Sequence, residues 1–292
     1  MSLLISGIVS VILGVIGFSL WWSDFVIILK GGVPIMLMLG GILAVYVGLA
    51  YEVAPALWRH YERQPALATK TMTTMTALGL AGDALNVGLE GSRDGILCAM
   101  RAAGWRPADP VTFSSSFRIA DSVLLRRAYP TAPVSDLYYD GRRQDLAFEK
   151  AAGISPKERH HVRFWLVLAK GDSGEPLWLG SATFDRSVGV SRYTGQVTHH
   201  IAPDIDAERD LLAHDLVAAG MVAASYSVTG VGATVFARNG GGDPYFTDGE
   251  IAVSRLSPGC QIVQTAPSLA PPPAVAAKNT AFGWLKALWR IL

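Results

Sequence analysis

Cysteine and charge are both scarce in this chain of 292 residues. The two cysteines, Cys98 and Cys260, match no metal-binding or redox spacing. We interpret them as ordinary buried thiols, which neither require an oxidising compartment nor exclude one. Asp, Glu, Lys and Arg make up 17% of the residues and the formal net charge is +1. Without a basic surplus to attract phosphates, we expect no nucleic-acid partner.

The signatures of well-known catalytic sites are also missing from the sequence. There is no G-x-S-x-G elbow, no H-E-x-x-H zinc motif, no dinucleotide fingerprint and no paired Cys/His nucleophile. These absences exclude a direct assignment to the common hydrolase and nucleotide-binding classes. Whether the protein is an enzyme stays open at this point.

Long uncharged runs are concentrated at the N-terminus, at Leu3–Ser23 and Gly31–Tyr51. Each is long enough to cross a hydrocarbon core of about 30 Å at about 1.5 Å per residue. Between them, Asp24 and Lys30 bracket the apolar stretch Phe25–Leu29, which we interpret as a tight hairpin connection. A cleaved signal peptide is the alternative for the first run, but its start carries no basic residue and a second run follows at once. The sequence therefore predicts a two-helix transmembrane hairpin in the plasma membrane.

The distribution of basic residues predicts the orientation of this hairpin. Arg59, His60, Arg63 and Lys70 follow the second run, whereas the connection contains only Lys30. Since basic residues are enriched in cytoplasmic segments, we expect both termini and the soluble domain to be cytoplasmic.

The C-terminal end predicts a second contact with membrane lipids. Residues 266–274 read APSLAPPPA, a proline-rich spacer, and the chain closes with FGWLKALWRIL at Phe282–Leu292. In a helix, Trp289 and Leu292 share one side and Lys286 and Arg290 another, as in segments that lie on an anionic leaflet. The alternative is a terminal helix docked on the domain core.

Five consecutive segments are thus expected along the chain. They are a transmembrane hairpin (1–56, helices at about 3–23 and 31–51), a juxtamembrane linker (57–70), a folded domain (71–258), a Pro/Ala-rich linker (259–280) and an amphipathic interfacial helix (281–292).

The folded domain combines short apolar strands with a few helices. Ser92 is a good N-cap for a helix that ends near Gly104, a second helix is expected at Ser115–Arg127, and a third runs from about Asp206 to Ala219. Turn signals such as Asp140-Gly141 separate the strands. The pattern predicts an α+β fold with a mainly antiparallel sheet. Strands are expected at 83–89, 137–139, 161–168, 177–183, 196–201, 225–228 and 251–256, with a hairpin at 245–253.

Several motifs in this domain resemble the LssY C-terminal domain family, which is described as secretion-associated or envelope-associated. In that family the domain often accompanies phosphatidic acid phosphatase or DedA-type membrane modules. This sequence contains neither module, so the resemblance implies a membrane-associated envelope role and carries no phosphatase activity over. The motifs are AGW-x-PADPVT (103–112), RIADSVLLRR (118–127), TAPVSDLY (131–138), GRRQDLAFEK (141–150), RHHVRFW (159–165), LWLGSATFDR (177–186), TGQVTHHI-x-PDIDAERD (194–210) and RNGGGDPYFTDG (238–249).

Two pairs of adjacent histidines are the first candidate site. Side chains alternate across a strand, so each pair sends only one imidazole to a given face. One histidine of each pair, with a following carboxylate, forms a set suited to a divalent metal with open positions for water. The alternative is that the carboxylates cap a helix and the histidines bond nearby polar groups. The candidate residues are His160, His161, His199, His200, Asp204 and Asp206.

Arginines and glycines form a second candidate site for an anion. Guanidinium groups pair with phosphate or carboxylate, and a glycine-rich turn can present backbone amides to an anion. The alternatives are Arg–Asp pairs across the sheet and a flexible connection. The candidate residues are Arg159, Arg163, Arg186, Arg238, Asn239, Gly240, Gly241, Gly242 and Asp243.

Three functions are compatible with these features. The first is an accessory domain at the membrane that binds lipid or another membrane protein in envelope, lipid or export processes. The second is a metal-assisted hydrolase of a phosphorylated or lipid-linked substrate, and the third is a purely structural membrane protein.

Overall fold

The computed structural model describes residues 2–48, 53, 62–108, 136–152, 158–193, 195, 197–273, 276, 277 and 280. The expected helix at Ser115–Arg127 and the expected interfacial helix at 281–292 lie outside these residues. The chain divides into two compact units, Met1–Ala54 and Pro55–Leu292.

The N-terminal unit consists of helices α1 (Ser2–Leu20) and α2 (Trp22–Gly48). The expected connection at Phe25–Leu29 is wrong, because these residues lie inside α2. Helical hydrogen bonds continue through Trp21, the residue between the two helices. Trp21 N–H donates to the carbonyl of Gly17 at 3.0 Å, and Phe25 N–H donates to the carbonyl of Trp21 at 2.9 Å. An apolar stretch without Gly or Pro gives the helix no reason to end there. Within the described residues, α2 is the one helix long and apolar enough to span a membrane.

The folded unit has an α+β architecture with mainly antiparallel sheets, as the sequence predicted. An eight-stranded sheet has the order β11-β14-β3-β9-β8-β7-β4, with β10 paired to β9, and only β14 and β3 run parallel. A four-stranded sheet has the order β2-β1-β5-β6, and β12 pairs with β13. The strands are β1 (Thr73–Met75), β2 (Ala81–Ala84), β3 (Val87–Glu90), β4 (Arg106–Pro107), β5 (Tyr138–Tyr139), β6 (Arg142–Arg143), β7 (Leu146–Ala151), β8 (Arg159–Leu168), β9 (Leu177–Val190), β10 (Val197–Ile201), β11 (Val222–Thr229), β12 (Thr234–Arg238), β13 (Pro244–Thr247) and β14 (Glu250–Leu256).

Two of the predicted turns have different outcomes. Asp140 and Gly141 both have positive φ, as a two-residue hairpin turn requires, and they join β5 to β6. The expected hairpin at 245–253 is wrong, because β13 pairs with β12 whereas β14 pairs with β11 and β3. Asp248 and Gly249 therefore connect two different sheets.

Two helices cover one face of the large sheet. Helix α3 (Arg93–Ala102) begins at Ser92, whose side chain accepts a hydrogen bond from Gly95 N–H, and α4 (Ile205–Ala218) begins at Asp204. Strand alternation divides the core accordingly: Phe164 packs on the helical side, whereas its neighbour Trp165 packs on the opposite side with the small sheet.

Both segments expected to be linkers contribute to the folded unit. Residues Pro65–Thr69 form a 3₁₀ helix, with Leu67 buried in the core. In the second expected linker, Leu269 N–H donates to the carbonyl of Ser225 in β11 at 2.7 Å. These contacts extend the folded domain beyond 71–258 on both sides.

The interpretation of the two cysteines as separate thiols is wrong. Cys98 in α3 and Cys260 in a short 3₁₀ helix (Pro258–Cys260) form a disulfide, with a Cα–Cα distance of 6.2 Å. The sequence spacing gave no signal because the bond joins elements 162 residues apart.

Candidate functional site

A cleft of about 240 Å³ lies where the β1–β2 hairpin meets strands β8, β9 and β10. We call it the Asp185 cleft. Its walls include Arg159, His161 and Arg163 of β8, Asp185 of β9, His199 of β10, Asp83 of β2 and the turn Asn239–Gly241.

Strand alternation sends these side chains to one face. Arg159, His161 and Arg163 are two residues apart along β8, so they point to the same side as the buried Trp165. Asp185 pairs directly with Arg159 across β8 and β9. Since β9 separates β8 from β10, His161 and His199 do not lie on neighbouring strands. Asp185 of β9 lies between them.

The Asp185 carboxylate is the centre of the site. Its Oδ2 accepts a hydrogen bond from Arg159 Nε at 3.0 Å, and the Nδ1 atoms of His161 and His199 lie 3.3 and 3.4 Å away. Burial opposes the charged form of Asp185, but His161, His199 and Arg159 favour it more strongly and hold its pKa well below 3.8. Arg159 is the permanent cation among these neighbours.

His161 is held as a neutral imidazole. Arg163 Nη1 lies 3.0 Å from its Nε2, and Thr183 Oγ1 lies 2.8 Å from the same atom. Because a guanidinium can only donate, Nε2 must accept, which places the ring proton on Nδ1, facing Asp185. Burial is the main cause of the lowered pKa of His161, and Asp185 offsets it only in part.

His199 is the imidazole that remains open to the cleft. Its Nδ1 is buried beside Asp185, whereas its side chain as a whole is 30% exposed and lines the cleft. Burial lowers its pKa despite the nearby carboxylate. A neutral imidazole oriented by an ionised carboxylate can accept a proton or a hydrogen bond from a bound molecule.

One oxygen of the central carboxylate, Asp185 Oδ1, is buried and accepts no hydrogen bond from the described residues. The Nδ1 atoms of His161 and His199 face the other oxygen, Oδ2. Buried polar groups are nearly always paired in folded proteins. The unpaired Oδ1 in the cleft wall therefore indicates a place for a bound molecule.

The charged residues of the cleft are paired with each other. Arg159 Nη1 also donates to Glu149 Oε2 at 3.1 Å, and Arg163 Nη1 lies 3.6 Å from Asp83 Oδ2. At the edge, Asp136 accepts from Arg143 at 3.1 Å. The two cleft arginines are therefore not presented as an open cationic pocket.

The glycine-rich turn is closed on itself. The backbone N–H groups of Gly241 and Asp243 donate to Asn239 Oδ1 at 3.0 and 2.9 Å, and Gly242 N–H donates to the Asn239 carbonyl. Asn239 Nδ2 donates in turn to Asp83 at 3.1 Å. These three amides already have acceptors within the turn, which forms part of the cleft wall.

The remaining candidate histidines and carboxylates do not line the cleft. His160 points to the helical face, where its Nδ1 lies 2.9 Å from Glu208, and His200 Nδ1 lies 2.6 Å from Asp243. Asp204 caps α4, and Asp206 accepts from Thr247 Oγ1 at 2.6 Å.

The other candidate arginines also lie elsewhere. Arg186 is exposed on the opposite face of β9 from Asp185. Arg238 stacks over Phe236 and donates to the Gly242 carbonyl at 2.7 Å.

The expected metal set does not assemble from these residues. Its carboxylates, Asp204 and Asp206, are engaged in capping and in the Thr247 contact. Within the described part of the chain, no group of three or more His, Cys, Asp or Glu side chains is arranged to hold a metal ion.

Sequence reasoning missed the central carboxylate. Asp185 stands beside Arg186 at the end of an apolar strand, and residues 177, 179, 181 and 183 before it share its face and are all buried. That alternation was a usable signal, since a carboxylate on a buried strand face requires a partner. Glu149 and Thr183 gave no comparable signal.

Comparison with known families agrees with the resemblance noted in the motifs. The model of the family described as LssY C-terminus matches residues 61–251. The chain belongs to the LssY C-terminus family. A second model, that of the magnetosome MamI protein family, matches residues 1–51 of this LssY C-terminus protein. The comparison with curated proteins found no match, and neither did the comparison with solved structures.

Proposed function

We propose that this LssY C-terminus protein is a membrane-anchored accessory domain that binds a polar ligand in the Asp185 cleft. The observation that carries the proposal is the unpaired, buried Asp185 Oδ1 beside the two imidazoles that face the same carboxylate. A bound molecule would supply the missing hydrogen bonds.

The N-terminal unit supports membrane anchoring by two spans. One continuous helix over residues 2–48 would extend about 70 Å, more than twice the hydrocarbon core of about 30 Å. Asp24 and Lys30 interrupt the apolar sequence near its middle. In a bilayer we therefore expect the chain to bend near Trp21, between α1 and α2, so that each of the two helices forms one span.

The proposed anchor supports a role for the cleft at a membrane. We propose a role in envelope, lipid or export processes, with membrane lipids or another membrane protein as partners. The similarity of residues 1–51 to the magnetosome MamI family supports a magnetosome location as a specific case to examine. A fluorescent fusion imaged in a magnetosome-forming cell would check that location.

Site-specific photo-crosslinking tests the binding proposal. A photoreactive residue at Leu78, a cleft-lining position that is 67% exposed, should capture a small molecule, glycan or lipid in membranes. The matched control is Val217 on α4, which is 44% exposed and does not line the cleft. Equal adducts at both positions, or none at Leu78, would contradict the proposal.

A hydrolase is the second candidate, and the His199–Asp185 pair favours it. An imidazole that a carboxylate orients toward a cleft is the arrangement of a general base. If the domain hydrolyses phosphorylated or lipid-linked substrates, turnover of a phosphoester panel should fall at least about 100-fold in His199→Gln. Assays with and without divalent metals show whether the reaction needs a metal. No turnover in either condition would rule out the hydrolase.

A further inference from the structure

We propose that the Asp185 cleft selects a neutral, hydroxyl-bearing ligand, such as a sugar or another polyol, rather than an anion. This inference rests on the proposed binding function and deepens it. It follows from how the charges and hydrogen-bonding atoms of the cleft are already used.

Charge pairing argues against ionic ligands of either sign. Every charged side chain on the described cleft wall has an opposite charge beside it: Asp185 has Arg159, Asp83 has Arg163 and Asp136 has Arg143. A phosphate would have to break one of these pairs or lie next to the Asp185 carboxylate without compensation. An ammonium group at Asp185 would meet the guanidinium of Arg159. Neither exchange is favourable in a buried site.

The unpaired atoms match the chemistry of a hydroxyl group. Asp185 Oδ1 is a buried acceptor without a donor among the described residues. Beside it, the partly exposed His199 side chain lines the cleft. A hydroxyl donates one hydrogen bond and accepts others, so adjacent hydroxyls satisfy a carboxylate oxygen and an imidazole together without adding charge.

The experiment uses the full chain in a sugar-free detergent and saturation-transfer NMR. The probes are glucose and myo-inositol, inorganic phosphate, and ethanolamine. We expect signals from the polyols that vanish in Asp185→Asn. Leu78→Trp, which adds bulk at an exposed position of the cleft wall, should also weaken polyol binding and covers the case in which Asp185→Asn fails to fold. The matched control, Val217→Trp on α4, should bind as the wild type does.

Each of the other outcomes has a defined meaning. Cleft-dependent binding of phosphate or ethanolamine without polyol binding rejects the hydroxyl class but leaves the binding function intact. Glucosyl diacylglycerol in mixed micelles is a further probe. If it binds and free glucose does not, the result supports the same hydroxyl chemistry, with a lipid headgroup as the ligand. No binding of any hydroxyl probe overturns this inference. The photo-crosslinking experiment at Leu78 tests the binding function separately.

A second inference concerns the side of the membrane and rests on the disulfide alone. We infer that the folded domain lies in an oxidising compartment, on the side opposite the cytoplasm. The Cα–Cα distance of 6.2 Å for Cys98 and Cys260 is typical of disulfides. Such bonds persist in exported domains and are rare in the cytosol.

The charge signal for a cytoplasmic domain is correspondingly weak. Lys70 forms an ion pair with Asp140 at 3.2 Å, and Arg63 lies over the Tyr226 ring. Both cations thus belong to the folded domain and have a structural reason to be present. A bias of so few charges is easily overridden.

Acid-trapped cells treated with a maleimide-polymer reagent under denaturing conditions test this location. The wild type should give no adduct without reductant and two adducts with it. Cys98→Ser should give one adduct in either condition, which shows that Cys260 can react. Two adducts on the unreduced wild type would place the domain in a reducing compartment and overturn the inference.

Discussion

At the scale of single residues, the site is defined by charges that the fold buries and pairs. Asp185 and Glu149 are almost fully buried, and Arg159 bonds both of them. Removing charges from water costs several kcal/mol each unless partners compensate. The guanidinium of Arg159 therefore carries much of the stability of the cleft wall.

Arg159→Met should lower the free energy of unfolding by about 3–5 kcal/mol, because two buried carboxylates lose this cation. Thermal or urea unfolding of the purified protein measures the loss. Arg186→Met, an exposed change one residue from Asp185, should stay within about 0.5 kcal/mol. Similar losses for both variants would contradict the central role of Arg159.

Acidification should destabilise the folded state through the cleft histidines. Their pKa values are lowered in the folded protein, so below the ordinary value of 6.5 the unfolded chain binds more protons. Their contribution to the free energy of unfolding is complete above about pH 6.5. As the pH falls, this contribution decreases by at most about 1.4 kcal/mol per pH unit for each imidazole. Unfolding midpoints across this range measure the slope, and His199→Gln should reduce it.

At the scale of elements, strand β9 connects the core to the site. Its first residues pack in the two hydrophobic layers, whereas Asp185 and the segment paired with β10 form the cleft wall. Gly189 in this segment leaves room for the ring of His200, whose Nδ1 lies 2.6 Å from Asp243. This contact between His200 and Asp243 connects β10 to the turn that borders the cleft.

Gly189→Ala should therefore disturb this connection. The added Cβ would overlap the His200 imidazole, and we expect a cost of about 1–3 kcal/mol. In a His200→Ala background the same change should cost less, since the overlapping ring is gone. Denaturant unfolding of the four proteins gives the coupling, and additive effects would show that the ring is not the obstacle.

At the scale of the whole molecule, the disulfide closes the folded domain. It joins α3 to the 3₁₀ helix after β14 and encloses most of the sheet between two cysteines 162 residues apart. A crosslink over so long a stretch restricts the unfolded chain strongly. The domain should therefore depend on its redox environment.

Reduction should lower the free energy of unfolding by about 2–5 kcal/mol. Thermal unfolding with and without reductant measures the difference. Cys98→Ser should already have the lower stability and should not respond to reductant. A wild type that is indifferent to reductant would show that the bond contributes little.

The sequence by itself determined the local features. The uncharged N-terminal runs, the Ser92 cap, the Asp140-Gly141 turn and the α+β class follow from periodicity and turn chemistry, which act between near neighbours. Period-two alternation also indicated that one histidine of each pair would share a face. Only the tertiary structure decided that these histidines are His161 and His199 and that Asp185 lies between them. It also decided that β13 pairs with β12 rather than with β14, and that the two cysteines form a disulfide. Those outcomes depend on which strands become neighbours, and a pattern along one strand does not specify its partner.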